Sequence, residues 1–301
     1  MEEVIKINSL VKYYDKLKAV DNLSLKVYKG QIYAFLGVNG AGKSTTISMI
    51  CGNLKKDSGE IYVCGKDTEK ESNYIKRQIG IVFQDSVLDK SLTVYDNLKY
   101  RAGLYGITGL EFKEEYEKLE KLFELESIKN KPLSKLSGGQ KRKVDIARAI
   151  IHNPQILILD EPTTGLDPKT RKKIWSIIRK LRKEYKITIF LTTHYMEEAA
   201  DADYITIIDK GKIIAEGTVL DLKNKYAKDT IIIYNVKETE IKKLSLPYKK
   251  IKDAYKIEIE NSKKATELII KYPSLFDDYE IINGRIDDVF INVTNGGDNN
   301  E

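Results

Sequence analysis

Short apolar or alternating runs recur through the first two thirds of the chain, at residues 4–7, 23–27, 32–36, 79–83, 156–160, 187–192 and 204–209. Runs of this length with turn residues between them read as strands. Residues 156–159 (Ile-Leu-Ile-Leu) and 187–191 are almost continuously apolar, the pattern of inner strands covered on both faces. Helix-like segments alternate with the later strands, which predicts an α/β core around a largely parallel sheet. Between residues 92 and 136 the rhythm becomes helical throughout. Leu98, Leu104, Phe112, Tyr116, Leu119, Leu122 and Phe123 recur at spacings of three, four and seven, predicting a helical subdomain over about residues 90–135. Asp209-Lys210-Gly211-Lys212 reads as the turn of a hairpin.

After Gly217 the pattern changes again. A short amphipathic helix over residues 218–226 is followed by strands at 231–236, 255–260 and 279–282, with helices at 262–272 and 287–293. The chain thus divides into a domain over residues 1–224 and a small α+β domain over 225–301. The polar residues 295–301 read as a frayed tail.

With 301 residues there is room for one large or two modest cores, and 42% hydrophobic with 32% charged residues is ordinary for a soluble globular protein. No apolar run approaches the ~20 residues of a spanning helix, and the acidic start Met1-Glu2-Glu3 lacks a signal-like apolar region. The expected location is cytoplasmic. Cys51 and Cys64 have no disulfide or metal-ligand spacing and are expected to be reduced thiols. The formal charge of +6 is uneven: residues 225–301 carry 13 Lys+Arg against 14 Asp+Glu, so the basic excess belongs to residues 1–224. There it is spread over mixed helix faces without a compact patch, and no nucleic-acid partner is expected.

The chemistry begins at Gly37-Val38-Asn39-Gly40-Ala41-Gly42-Lys43-Ser44-Thr45, which follows one predicted strand and opens a helix. Glycines let the backbone wrap a polyphosphate with its N–H groups turned inward, reinforced by the helix N-terminus. Lys43 would reach the β- and γ-phosphates and the Ser44 hydroxyl would ligate Mg²⁺. Asp160-Glu161 ends the strand at 156–160, which sets Asp160 beside the metal and Glu161 beside the attacking water as general base. Leu136-Ser137-Gly138-Gly139-Gln140 opens a second helix whose first N–H groups, from Ser137 through Gly139, form another anion site.

Taken together, Lys43, Leu136 to Gln140, Asp160-Glu161 and His194 after Leu191-Thr192-Thr193 resemble the ATP-binding subunit of an ATP-binding cassette (ABC) transporter, over about residues 4–217. The resemblance implies a P-loop NTPase core with a mixed sheet, an antiparallel β subdomain and the helical insertion. It implies ATP and Mg²⁺ as cofactors. Tyr14, six residues before Val20, would stack on adenine. Gln84, after Ile81-Val82-Phe83, would touch Mg²⁺ and sense a membrane partner. Gly165-Leu166-Asp167-Pro168 would cross a dimer interface, and His194 would contact the γ-phosphate. Residues 137–140 would cap the ATP held by a second ATPase subunit, identical or homologous. Val38 departs from the family, where proline is common; the expectation is altered loop stiffness with intact binding.

Phe83-Gln84-Asp85, Leu88-Asp89, Leu92-Thr93 and Ile286-Asp287-Asp288-Val289-Phe290 resemble the daunorubicin- and bacitracin-resistance branch of exporters, in which a separate polytopic permease is the partner. That reading expects a motor at the cytoplasmic face of the membrane. The alternative is a soluble ABC-type ATPase acting on ribosome or nucleic acid, although such proteins need two cassettes or a long coiled-coil insertion. The insertion here is short and loses heptad order at Gly103, Gly106 and Gly109. A P-loop kinase would leave residues 136–140 and His194 without a role.

Overall fold

The computed structural model describes residues 1–295; the end of the predicted tail lies outside them. The chain forms two compact units, Met1–Ile214 and Ala215–Glu301. In chain order the first unit contains strands β1 (Glu3–Tyr14), β2 (Leu17–Tyr28) and β3 (Ile32–Leu36), helix α1 (Lys43–Ile50), strands β4 (Ser58–Val63) and β5 (Lys66–Asp67), helix α2 (Ser72–Gln78) and strand β6 (Ile79–Val82). Helices α3 (Val94–Gly103), α4 (Gly109–Phe123) and α5 (Gly138–Ile150) follow, then β7 (Ile156–Asp160), α6 (Pro168–Tyr185), β8 (Thr188–Thr193), α7 (Met196–Ala199), β9 (Tyr204–Asp209) and the start of β10 (Lys212–Gly217).

Among the described residues these strands make two sheets, in the orders β2-β1-β4-β5 and β10-β9-β3-β8-β7-β6. Strands β9, β3, β8, β7 and β6 run parallel, and every residue of β3, β7 and β8 is buried. That is why they read as nearly continuous apolar runs. The first sheet is antiparallel, and its alternating side chains (Ile5, Ile7, Leu23, Leu25, Val27) share one core with Tyr33, Phe35, Ile47, Ile158 and Phe190. Tyr33 stacks on Phe190 with centroids 5.4 Å apart, and its hydroxyl meets Thr206 Oγ1 at 2.6 Å. Helix α1 contributes Ile47, Met49 and Ile50 to the same core, so the start of α1 is fixed against both sheets.

The strands expected at residues 4–7 and 23–27 extend to twelve residues each, because β1 and β2 pair along their whole length. Helix α2 was not predicted, since a seven-residue helix with Ile75 alone buried shows no periodicity. The insertion is helical, with Leu98, Phe112, Tyr116, Leu119, Leu122 and Phe123 buried as expected. Leu104 is 75% exposed, because α3 ends at Gly103 and the chain turns away there. Tyr95 packs edge-on against Phe112 and Tyr116, and a bridge between Thr93 and Pro132 ties the ends of the insertion together. The β9–β10 turn has positive φ at Lys210 and Gly211, as a two-residue hairpin requires.

The division between units falls within β10, earlier than the expected border after residue 224. Helix α8 (Val219–Tyr226) belongs to the second unit. Strands β11 (Asp229–Tyr234), β12 (Tyr248–Ile251), β13 (Ala254–Ile259) and β14 (Tyr279–Ile282) form an antiparallel sheet in the order β12-β13-β11-β14. With α9 (Glu238–Ile241) and α10 (Ser262–Lys271) between them, the connectivity is the split β-α-β-β-α-β arrangement. Helix α11 (Ile286–Asn295) packs on α8. One sheet face carries Ile231, Ile233, Ile257 and Ile259 into a core with Leu268; Lys256 and Glu258 alternate to the other face, exposed.

Candidate active site

Strand β3 delivers Gly37 to the edge of the site, and the glycines that follow do separate jobs. A Cβ on Gly37 would lie 2.5 Å from the Ile208 carbonyl, and one on Gly42 would lie 2.4 Å from the Ala19 carbonyl. Gly42 also has φ +105°, so neither space nor backbone conformation admits a side chain. Gly40, at φ +85°, faces open space. The loop is pinned by hydrogen bonds from Ala41 N to Val38 O and from Gly211 N to Ala41 O. Gly42 caps α1 without a side-chain hydrogen bond, leaving first-turn N–H groups for a ligand. Asn39 and Ser44 are exposed beside it and Thr45 is half-buried.

Lys43 is buried, and its Nζ donates to the Gly37 and Val38 carbonyls at 2.6 and 3.1 Å. Burial pushes its pKa down, while the Glu161 and Asp160 carboxylates pull it back up. The ammonium is thus folded onto its own loop with two acids in its field.

Those acids end β7. Thr192 Oγ1 donates to Asp160 Oδ1 at 2.5 Å, and Ser44 Oγ lies 3.4 Å from Asp160 Oδ2. Glu161 leaves the strand with φ +47°, and its N–H donates to the Thr192 carbonyl. The turn aims its side chain across the strand end, where Thr164 Oγ1 donates to Oε2 at 3.1 Å. His194 Nδ1, past the end of β8, lies 3.2 Å from Glu161 Oε1, close enough for an ion pair but not aligned as a hydrogen bond. The fold therefore gathers Lys43, Ser44, Asp160, Glu161 and His194 at the carboxyl ends of three parallel strands.

The helix start at residues 137–140, expected to hold a second anion, is built differently. Ser137 Oγ accepts from Gln140 N at 3.3 Å, and Gln140 Oε1 accepts from Ser137 N at 3.0 Å, a reciprocal capping box. The Ser137 N–H is thereby occupied, and Gly138 and Gly139 supply the open donors. A Cβ on Gly139 would lie 2.4 Å from Thr170 Cγ2, whereas one on Gly138 would meet Leu166 Cδ2 at an ordinary 3.7 Å. Among the described residues no hydrogen bond joins residues 137–140 to residues 37–45.

A sequence profile of the ABC transporter family matches residues 20–164. A daunorubicin/doxorubicin resistance ATP-binding protein, DrrA of Streptomyces peucetius, is 40% identical over 228 residues, covering 75% of this chain and 69% of that protein. The chain belongs to the ABC transporter ATP-binding proteins. The linearmycin resistance ATP-binding protein LnrL of Bacillus subtilis is 42% identical over 231 residues, covering 76% and 74%. Among solved structures, cbiO1 from Clostridium perfringens, part of an ABC transporter complex, superposes with TM-score 0.67 at 32% identity, covering 72% of this chain and 89% of that one. A dimeric ATP-binding cassette in a post-hydrolysis state with ADP and Pi gives 0.64 at 30%, covering 71% and 98%. The chain is an ATP-binding, ATP-hydrolysing transport motor, and the soluble ribosome or nucleic-acid reading falls away.

Within this ABC ATPase, Arg142 escaped the sequence reading. Buried on α5, it donates to the carbonyls of Phe83 (2.6 Å), Pro162 (2.6 Å), Glu161 (2.7 Å) and Asp160 (3.1 Å). It joins the helix behind Gly138 to the turn bearing the acids and to the residue before Gln84. A signal did exist: Arg142, Asp145 and Arg148 recur three apart among apolar residues, a charged stripe on a buried helix face. The Gln84 side chain is exposed, and Tyr14 stands half-exposed at the end of β1 with Lys12 over its ring. Neither is hydrogen-bonded to the cluster. For a divalent cation the Ser44 hydroxyl and the Asp160 carboxylate are hard oxygen donors of the right kind for Mg²⁺. Among the described residues no group of three His, Cys, Asp or Glu is placed to hold a metal ion. No described helix is long and apolar enough to cross a membrane.

Proposed function

We propose that this ABC ATPase drives export by closing as a dimer around two ATP molecules while docked on a separate polytopic permease. The observation that carries the reading is the convergence of Lys43, Ser44, Asp160, Glu161 and His194, with the helix end at Gly138 and Gly139 unconnected to it. In this reading Lys43 exchanges its two loop carbonyls for phosphate oxygens. The backbone of residues 37–45 cradles the chain of phosphates, and Tyr14 stacks on adenine. Ser44, Asp160 and Gln84 hold Mg²⁺, which neutralises the developing charge on the phosphates. Glu161 orients the attacking water and takes its proton, and His194 steadies the γ-phosphate. Ser137, Gly138, Gly139 and Gln140 cap the ATP of the opposing subunit, a second copy of this chain or a homologue.

A cavity of about 610 Å³ lies between the parallel sheet and the helical insertion, lined by Ile79, Ile81, Phe83, Leu88, Leu92 and Leu104. Its apolar floor ends one residue before Gln84, so a cytoplasmic segment of the permease seated there would report directly to the site. Such docking puts the chain at the cytoplasmic face of the membrane. The names of the resistance relatives support a drug, antibiotic peptide or lipid-like compound as cargo. The test is Glu161→Gln with MgATP, followed by light scattering and phosphate release. A stable ATP-bound dimer with hydrolysis down by about a thousandfold is expected, the scale on which losing a catalytic base acts. A monomer that continues to turn over refutes the mechanism.

A further inference from the structure

Glu198 is a carboxylate that the proposed mechanism does not use. It sits on α7, four residues after His194, and is 2% exposed. The hydroxyl of fully buried Thr163, two residues beyond Glu161, donates to Glu198 Oε1. Burial pushes the carboxyl pKa up, offset by the Thr193 hydroxyl and the Arg171 guanidinium. One carboxylate therefore touches the segment after Glu161 and lies within the field of the segment bearing His194.

Its surroundings are only half satisfied. Among the described residues nine buried side-chain nitrogens or oxygens make no hydrogen bond of full geometry, and four of them gather here: Glu198 Oε2, Arg171 Nε, Trp175 Nε1 and His194 Nδ1. Trp175 nevertheless stands near enough to Glu198 to draw its carboxyl pKa down. Glu198, Arg171 and Trp175 line one cavity of about 410 Å³. The Arg171 guanidinium lies 4.6 Å from the centre of the Tyr195 ring, and that ring is 4.2 Å from the His194 ring. Arg171 and Trp175 occupy the first turns of α6, whose cap, Asp167, belongs to the loop at residues 165–168. A buried polar network left partly unpaired is costly in its present arrangement and readily exchanges it for a better paired one.

We propose that Glu198 is a positioning residue that sets the His194 ring against Glu161 and couples it, through Arg171 and Tyr195, to the loop at residues 165–168. The proposal rests on the roles of Glu161 and His194 given above. In the present arrangement His194 Nδ1 is 3.2 Å from Glu161 Oε1 without alignment. A shift of α6 that brings Trp175 Nε1 or Arg171 Nε to Glu198 Oε2 moves Tyr195 with it and turns the histidine. Movement of the loop would then be felt at the hydrolytic pair through side chains already in contact.

The test uses the full chain, with single-turnover phosphate release and a fluorescent ATP analogue for affinity. Glu198→Ala is expected to lower the hydrolytic rate about tenfold or more while nucleotide affinity and KM change less than about threefold. Glu198→Gln keeps an acceptor oxygen for Thr163 but sets an amide NH2 where Oε2 would accept from Trp175 or Arg171, so it recovers only part of the rate. In a His194→Ala background the further loss from Glu198→Ala shrinks to less than about twofold, because the effect runs through the histidine. If the loss persists in that background, or affinity falls with the rate, Glu198 is a structural strut and the proposal fails. Should Glu198→Ala not fold, Thr163→Val removes the same hydrogen bond isosterically and must reproduce the rate loss; unchanged turnover overturns the idea. Undiminished hydrolysis by His194→Ala would instead refute the proposed role of His194, whereas an inactive His194→Ala beside a fully active Glu198→Ala refutes only the coupling.

Discussion

Gly138 and Gly139 look alike in the sequence and are held for opposite reasons. Gly139 is a packing glycine, since a methyl group there collides with Thr170 Cγ2 on α6. Gly138 has room above it, the space the proposed anion would take. Gly139→Ala should therefore destabilise the protein by about 1–3 kcal/mol through overpacking, measured by denaturant unfolding. Adding Thr170→Ser, which removes the offending methyl and keeps the hydroxyl that bonds Asp167, should restore most of that loss. Gly138→Ala should fold like the parent and lose hydrolysis. Equal stability losses at both positions would refute the distinction. The motif was legible from spacing alone, but the division of labour within it was not, because that depends on α6, some thirty residues away in sequence.

At the scale of elements, Arg142 makes α5, the end of β6 and the end of β7 into one joint. Replacing it with Lys keeps the charge and loses the planar fork that reaches five carbonyls. Arg142→Lys should cost about 2–4 kcal/mol, because several buried carbonyls lose their partners; an unchanged melting temperature would show the joint to be dispensable. Behind the same helix, His152 stacks on Tyr105 at 3.9 Å, and burial with nearby Arg101 holds its pKa down at about 4 against an ordinary 6.5. The folded state thus binds this proton less readily than the unfolded one. Stability from His152 is fully present above about pH 6.5 and is lost as pH falls toward 4. His152→Phe should flatten the fall in unfolding free energy between pH 6.5 and 4; an unaltered slope would assign the acid sensitivity elsewhere. The parallel strands were readable because burial on both faces leaves long apolar runs. Strands β4, β5 and β12 and helix α2 were not, because short elements with two buried residues at most leave no period to detect. Arg142 was hidden by a different effect: its neighbours Lys141 and Lys143 make the segment read as solvated, and only the three-residue recurrence of charge betrays the buried face.

For the whole molecule the decisive point is topological. Within one chain the loop at residues 37–45 and the helix end at residues 138–139, the two anion sites proposed above, have no described hydrogen bond between them. A dimer that sandwiches ATP pairs each loop with the other chain's helix end, so a composite site needs one intact half from each chain. Lys43→Ala disables the loop half, and Gly138→Arg fills the space above the helix end and disables the other half. Each variant alone yields a dimer with two defective sites and should be nearly inactive. When the two proteins are mixed, both defects fall in the same composite site of a heterodimer, and its second site combines two intact halves. With random pairing and independently acting sites, the equal mixture should recover about a quarter of wild-type hydrolysis. If each site were completed within a single chain, mixing could restore nothing, because no chain in the mixture carries both halves. Activity that stays flat across all mixing ratios would place the two anion sites in unrelated functions, whereas a maximum near equal amounts assigns them to one ATP.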